Sequence, residues 1–197
     1  MSVDLPWTRI ASLAIRPVLF SGNQEGSLGG PTLQIPRLGD RFAADIETAQ
    51  LQQNAEGRLL IATLTEATTG DAKIAIRQPN LPRLSIAGAP VIDGAGQAGA
   101  SLNIRGAQPG AALFRGQYVG LIHGGVSYLY MLSGNVIVRA DGKATLSLWP
   151  MLRFLSVDGE TVDVTPSIEG QLVGFDKGAK WVRNRVDPLS FSIVERV

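Results

Sequence analysis

Around an Asp141-Gly142 pair the strand-favouring run Val136–Val138 is followed by apolar and polar residues alternating from Lys143 to Leu148, and a second pair, Asp158-Gly159, precedes another short alternating run, Thr161–Val164. Alternation with period two, interrupted by Asp-Gly, predicts consecutive antiparallel strands joined by tight turns. The first turn admits two registers. A two-residue loop pairs Ile137 with Leu146 but leaves Val136 and Val138 facing Ser147 and Thr145. A three-residue loop, Ala140 to Gly142, sets Val138 opposite Ala144 and Val136 opposite Leu146, with Arg139, Lys143, Thr145 and Ser147 on the other face. The second keeps one face dry, and it needs a positive φ at the end of the loop, which Gly142 supplies without a Cβ penalty, as in a G1 bulge.

Elsewhere Thr32–Ile35 and Arg41–Thr48 read as strands, the latter placing Phe42, Ala44 and Ile46 on one face. From Asn54 to Thr69 the period changes: Leu60, Leu64 and Ala67 recur at helical spacing, with Asn54 as N-cap and Gly70 as stop. Gly57 and the β-branched Ile61, Thr63 and Thr65 weaken this helix, and a strand from Arg58 to Thr65 competes with it. Lys73–Arg77 returns to a strand pattern, with Ile74 and Ile76 on one face, before Pro79, Asn80 and Pro82 mark a boundary.

From Arg83 the texture becomes short strands separated by Gly, Ala and Pro, with a hairpin over Gln117–Leu132 about Gly124-Gly125. Together with Asn135–Leu148 and Thr161–Val164 this gives about five or six strands, enough for a small barrel or sandwich. At the far end Leu189, Phe191 and Ile193 alternate with Ser190 and Ser192. Such a terminal strand needs a sheet to join, and the sparse N-terminal part needs strands. The expected fold is therefore mainly β: two small β-barrel or sandwich domains, the second (83–167) inserted in the first (1–82 plus 168–197), with one short helix near 54–69.

Composition narrows the chemistry. A chain of 197 residues suits one large or two small domains, and 23 glycines suit many tight turns. The balance of 18 basic and 17 acidic residues leaves a net charge of +1, which gives no reason to expect nucleic acid as a partner. With no cysteine and one histidine, no thiolate nucleophile, disulfide, histidine cluster, cofactor or metal site is predicted. Asp4, Pro6, Trp7 and Arg16-Pro17 break up the N-terminal apolar residues, so neither a signal peptide nor a membrane span of about 20 apolar residues is expected. The expectation is a soluble protein made in the cytoplasm.

Several residues invite sharper readings. Gly94, Gly96 and Gly99 spell GxGxxG, but the dinucleotide fingerprint requires a following helix, and Ser101–Ile104 alternates like a strand. His123 precedes Gly124-Gly125 and reads as a hairpin-tip residue, since no nucleophile motif accompanies it. Glu160, Asp163 and Glu169 would serve a glycosidase only if paired across a cleft, and solvated strand faces account for them more simply. No catalytic residue is predicted. Tyr118, Tyr128, Tyr130 and Trp149 are the candidates for carbohydrate binding, because strand aromatics can stack on sugar rings; core packing or subunit contact is the competing reading. Arg183 and Arg185 alternate with Val182 and Val186, as a subunit contact or as a solvated edge.

The order of strands, one helix, an Arg77-Gln78-Pro79 exit, a small β-barrel, the block SLWPMLRF (Ser147–Phe154), then VDGETVDVTPSIEGQLVG and a closing LSFSIVERV resembles the distal tail proteins of long-tailed bacteriophages. It is most similar to their short form, whose N-terminal β-domain is completed by the last strand and carries an inserted OB-like (oligonucleotide/oligosaccharide-binding type) barrel. The resemblance implies a non-enzymatic virion component at the tail tip. It implies a self-associated ring, typically a hexamer, between the tail tube protein and the tail hub protein, with the second domains projecting outward; the alternative reading is a carbohydrate-binding module used in host-surface attachment, with host-surface glycan as partner. The run Ala87–Ala100 is sparser in large side chains than barrel strands usually are.

Overall fold

The structure, a computed structural model, describes residues 2–26, 29–35, 37–79, 81 and 90–196. The expected boundary at 82/83 and the first part of the Gly/Ala-rich run lie outside the described residues. In chain order the first elements are β1 (Ser2–Asp4), β2 (Ile10–Val18), β3 (Gly22–Gln24), β4 (Leu33–Ile35), β5 (Arg41–Thr48), β6 (Leu51–Gln52), α1 (Ala55–Ala67) and β7 (Asp71–Ala75). Then follow β8 (Val91–Ile92), β9 (Gly99–Arg105), β10 (Ala112–Leu113), β11 (Tyr118–His123), β12 (Val126–Leu132), β13 (Val136–Ile137) and β14 (Ala144–Leu152). The last are β15 (Val162–Asp163), β16 (Ser167–Val173), β17 (Trp181–Val182), β18 (Arg185–Val186) and β19 (Ser190–Glu195). The fold is mainly β, with one helix among the described residues. None of them forms a helix long and apolar enough to cross a membrane.

The chain divides into two compact units. The first comprises Met1–Pro17, Phe42–Ile76 and Ser167–Arg196. Its sheet has the order β1-β7-β16-β19-β5-β2, so the strand nearest the C-terminus lies in the interior of the sheet, between β16 and β5. The alternation of β19 explains its seat: Phe191 and Ile193 are buried, paired with Ile46 and Ala44, while Ser190 faces solvent. Glu195 is buried too, and its Oε2 accepts the Phe42 amide at 2.9 Å.

The helix prevails over the competing strand through its start and its stripe. Asn54 Oδ1 accepts the Gly57 amide at 2.9 Å, and Gly57, Leu60, Leu64 and Ala67 form the buried face. Thr63 and Thr65 turn their hydroxyls onto carbonyls one turn back, Leu59 at 3.0 Å and Ile61 at 2.8 Å, so their polar groups are satisfied within the helix. Gly57 is required here: a Cβ would run into the Gln52 carbonyl oxygen.

The second unit comprises Val18–Arg41 and Arg77–Pro166. Its six-stranded sheet has the order β15-β11-β12-β14-β9-β8. A bridge between Val91 and Thr161, with Ile92 N–H donating to the Glu160 carbonyl at 2.9 Å, links its two ends into a nearly closed barrel. Leu102, Leu121, Tyr130, Leu132 and Leu146 fill the interior. The β11–β12 hairpin turns through Gly124 (φ 58°) and Gly125 (φ 82°), two successive positive φ values that few other residues accept.

At Asp141-Gly142 the loop is the three-residue one. Gly142 N–H donates to the Arg139 carbonyl at 3.0 Å, Arg139 N–H donates to the Lys143 carbonyl at 2.9 Å, and Gly142 has φ 75°. Val138, Ala144 and Leu146 are buried and Thr145 and Ser147 exposed, as the dry-face pattern requires. The expected pairing of Val136 with Leu146 does not form, because β13 pairs with β10 while β14 takes β9, placing Leu146 opposite Leu102. Each strand leaves the turn for a different partner.

The second pair, Asp158-Gly159, works through its carboxylate. Asp158 is held at 3.1 Å by Arg105 Nη2 and at 2.7 Å by the Gly94 amide. These hydrogen bonds, Arg105 first and Gly94 second, lower its pKa from 3.8 to about 2. A lowered folded-state pKa contributes stability that is present above 3.8 and lost as the pH falls through about 2. Asp158→Asn is therefore expected to lower the thermal midpoint slightly at neutral pH and to match the wild type at the acid end of that window. An equal deficit at both pH values would show that the charge is not the cause. Gly94, Gly96 and Gly99 all have positive φ and lead into β9, so GxGxxG is a turn built to reach Asp158.

The Val18–Arg41 segment forms an arm. Asp40 clasps its root by accepting from the amides of Phe20 (2.7 Å) and Ser21 (2.8 Å) and from Ser21 Oγ (2.6 Å). Burial pushes the Asp40 pKa up, and these hydrogen bonds together outweigh it and hold it low. Phe20 lies so close over Gly39 that a Cβ there would meet the Phe20 Cγ at 2.8 Å. Beyond the clasp, β3 and β4 pair antiparallel, Gly22 with Ile35 and Gln24 with Leu33.

Candidate functional site

Within the first unit, β6, β18, the N-terminus of α1 and the turn at Arg9 border an open cleft of about 760 Å³. Leu51 and Val186, paired and fully buried, anchor its floor. Because strand side chains alternate, their neighbours Gln50, Gln52 and Arg185 project the other way. Arg185 Nη1 donates to Gln50 Oε1 at 3.2 Å, and Gln53 Nε2 donates to the Arg183 carbonyl at 2.6 Å. The Arg9 carbonyl accepts from the Ala49 amide at 2.8 Å.

Arg9 and Arg183 have φ 57° and 50°, and they are the non-glycine residues with positive φ among those described. Such a conformation is uncommon for a side chain of this size and is held only where surrounding contacts fix it. Here the carbonyls of both arginines are pinned at or beside the same cleft. The lining offers guanidinium and amide donors from Arg9, Gln50, Gln53, Asn54, Asn184 and Arg185, and no carboxylate, imidazole or hydroxyl. Its two guanidinium groups suit carboxylates, while its amides offer acceptors as well as donors.

Of the residues singled out in the sequence, Arg185 lines this cleft. Arg183 does not alternate along a strand as expected: it occupies the turn between β17 and β18. Asn54 is the predicted N-cap of α1, whereas Arg9, Gln50, Gln52 and Gln53 carry no sequence signal beyond the density of amides between 50 and 54.

The four carbohydrate candidates do not share a surface. Tyr118 and Trp149 both pair with Met131, whereas Tyr128 and Tyr130 have the opposite parity on β12 and point to the other face. Tyr130 is fully enclosed in the barrel core, its hydroxyl accepting the Arg153 amide at 3.3 Å, so it cannot stack on a ligand. Tyr128 is half-buried, packed at 4.9 Å from Phe154 with the Arg153 guanidinium 5.0 Å from its ring centre.

His123 stacks on Phe154 at 4.0 Å with an interplanar angle of 9°, and its Nδ1 is 2.7 Å from Glu160 Oε1. Ring faces and carboxylate are thus engaged with one another at this end of the barrel. Asp163 accepts from the Thr165 amide at 2.8 Å, and Glu169, buried in the first unit, faces Lys73 at 3.9 Å. Each of the three acids has a structural partner of its own, and Glu169 belongs to a different unit from the other two. Among the described residues no group of three or more histidine and acidic side chains is placed to hold a metal.

No protein-family model matches the chain, and no curated protein matches it.

Proposed function

We propose that the chain is a structural subunit of a long-tailed bacteriophage virion, a distal tail protein that assembles into a ring, of six copies by resemblance, joining the tail tube to the hub at the tip. The observation that carries this reading is the seat of β19 between β16 and β5, which closes the first unit around a chain whose middle forms a separate barrel. A sheet held together through β19 gives the unit a single continuous frame for contacts with neighbours. Its two sheet edges differ, β1 with three residues and β2 with nine, and unlike edges suit the head-to-tail contacts that close into rings. The role is geometric: the subunit positions its neighbours and performs no reaction. Glycan attachment draws less support, since Tyr130 is enclosed and Tyr128 and Trp149 face opposite ways.

Deleting the gene is the decisive test. Particles made without it are expected to lack a joined tail tip, and a tagged copy is expected at the distal end of the tail by immunogold microscopy. Infective, fully tailed particles that never contain the protein would rule the reading out.

A further inference from the structure

The arm is shaped in advance and left bare. A two-stranded ribbon is marginal in water by itself, yet the Asp40 clasp and the Phe20–Gly39 contact fix this one at its root. At the root Leu19 (58% exposed), Phe20 (60%) and Leu38 (59%), and on the ribbon Leu33 (60%), lie open to solvent. Apolar residues concentrated in this way mark an interaction surface, and pre-shaping lowers the ordering cost of binding.

The cleft of the first unit has complementary properties. It presents Arg9 and Arg185 with no carboxylate in its lining, while the arm carries an exposed carboxylate, Glu25, next to β3. Beside β18, which lines the cleft, the outer strand β17 exposes Trp181 (48%) and Val182 (44%). One chain therefore displays an arm with exposed leucines and an acid, and a separate surface bearing arginines and an apolar strand. We propose that the arm of one copy docks on the cleft and the β17 edge of a second copy, Glu25 pairing with Arg9 and Arg185 and Leu33 covering the apolar strand. Two unlike patches make the contact heterologous, the kind that propagates to a ring. The docking rests on the reading of a self-assembling subunit and names the surfaces it would use.

Sedimentation velocity over a wide range of protein concentration tests it, on the wild type, Leu33→Asp, Glu25→Arg, Arg185→Glu and the double variant Glu25→Arg/Arg185→Glu. All three positions are exposed, so circular dichroism is expected to show unchanged folds. The wild type should associate, each single variant should weaken association at least about tenfold, and the double variant should regain most of it, as charge pairs at interfaces do. A wild type that stays monomeric throughout, single variants that associate normally, or a charge swap that restores nothing overturns the docking. Charge-dependent association in a protein that is absent from virions would retire the tail reading and leave the docking standing. A virion protein whose association ignores these changes would do the reverse.

Discussion

Gly170→Ala is expected to destabilise the first unit by about 3 kcal/mol or more, at the upper end of what overpacking costs. Gly170 lies in β16 opposite Glu195 of β19. A Cβ there would enter the Val194 carbonyl oxygen and come within 2.7 Å of Glu195 Cα. Both obstacles are main chain, so no rotamer change relieves them. Moving β19 aside would break its pairing with β5, where Ile193 meets Ala44 and Val194 meets Ala43. Gly134→Ala is the control: the nearest atoms to its Cβ would be Ser147 Cβ and Oγ at 3.7 Å, an ordinary contact, and little change is expected. Chemical denaturation monitored by circular dichroism would show a clearly lowered midpoint for Gly170→Ala alone. Equal midpoints for the two variants would mean that β16 and β19 do not approach this closely.

Removing the Glu195 carboxylate ranks next. Its side chain is 2% exposed and supplies an acceptor for the Phe42 amide at the start of β5. Glu195→Ala withdraws that acceptor from a buried N–H and leaves a cavity, a loss of about 2 kcal/mol by the usual cost of unmaking a charge-assisted hydrogen bond. Glu195→Gln keeps an oxygen in reach of the amide and should lose less. The expected order of stability is wild type, then Gln, then Ala, read from the same denaturation curves. A Gln variant as unstable as Ala would assign the effect to something other than the Phe42 amide.

The two changes meet at the same strand, and that strand was legible in the sequence. The alternation of Leu189, Phe191 and Ile193 needs only a local pattern, as do the Asn54 cap, the Gly124-Gly125 turn and the period-two run of β5. Partner choice was less legible. Val136 and Leu146 have matching apolar character, but β9 offers β14 a longer ladder than β13 does, and only the assembled barrel decides between them. Parity is hidden in the same way: Tyr118 pairs with Met131, next to Tyr130 on the neighbouring strand, and that register turns it to the face opposite Tyr128 and Tyr130. The cleft is hardest to read, since Arg9, Gln50 and Arg185 meet only after the sheet forms and nothing about an arginine announces a positive φ. Gly57 counted against a helix by propensity, whereas the approach of the Gln52 carbonyl makes it necessary.

The seat of β19 also bears on biogenesis. The barrel strands, β8 to β15, all leave the ribosome before β16, so that unit can fold while synthesis continues. The first unit cannot: β5 and β16 have no strand between them until Ser190–Glu195 has been made. For most of its synthesis the N-terminal half therefore waits with unpaired edges, the state in which chains aggregate or are taken by chaperones. A chain cut short before Ser190–Glu195 would leave β5 and β16 without the strand that lies between them, so truncation there costs the first unit its sheet rather than only its edge.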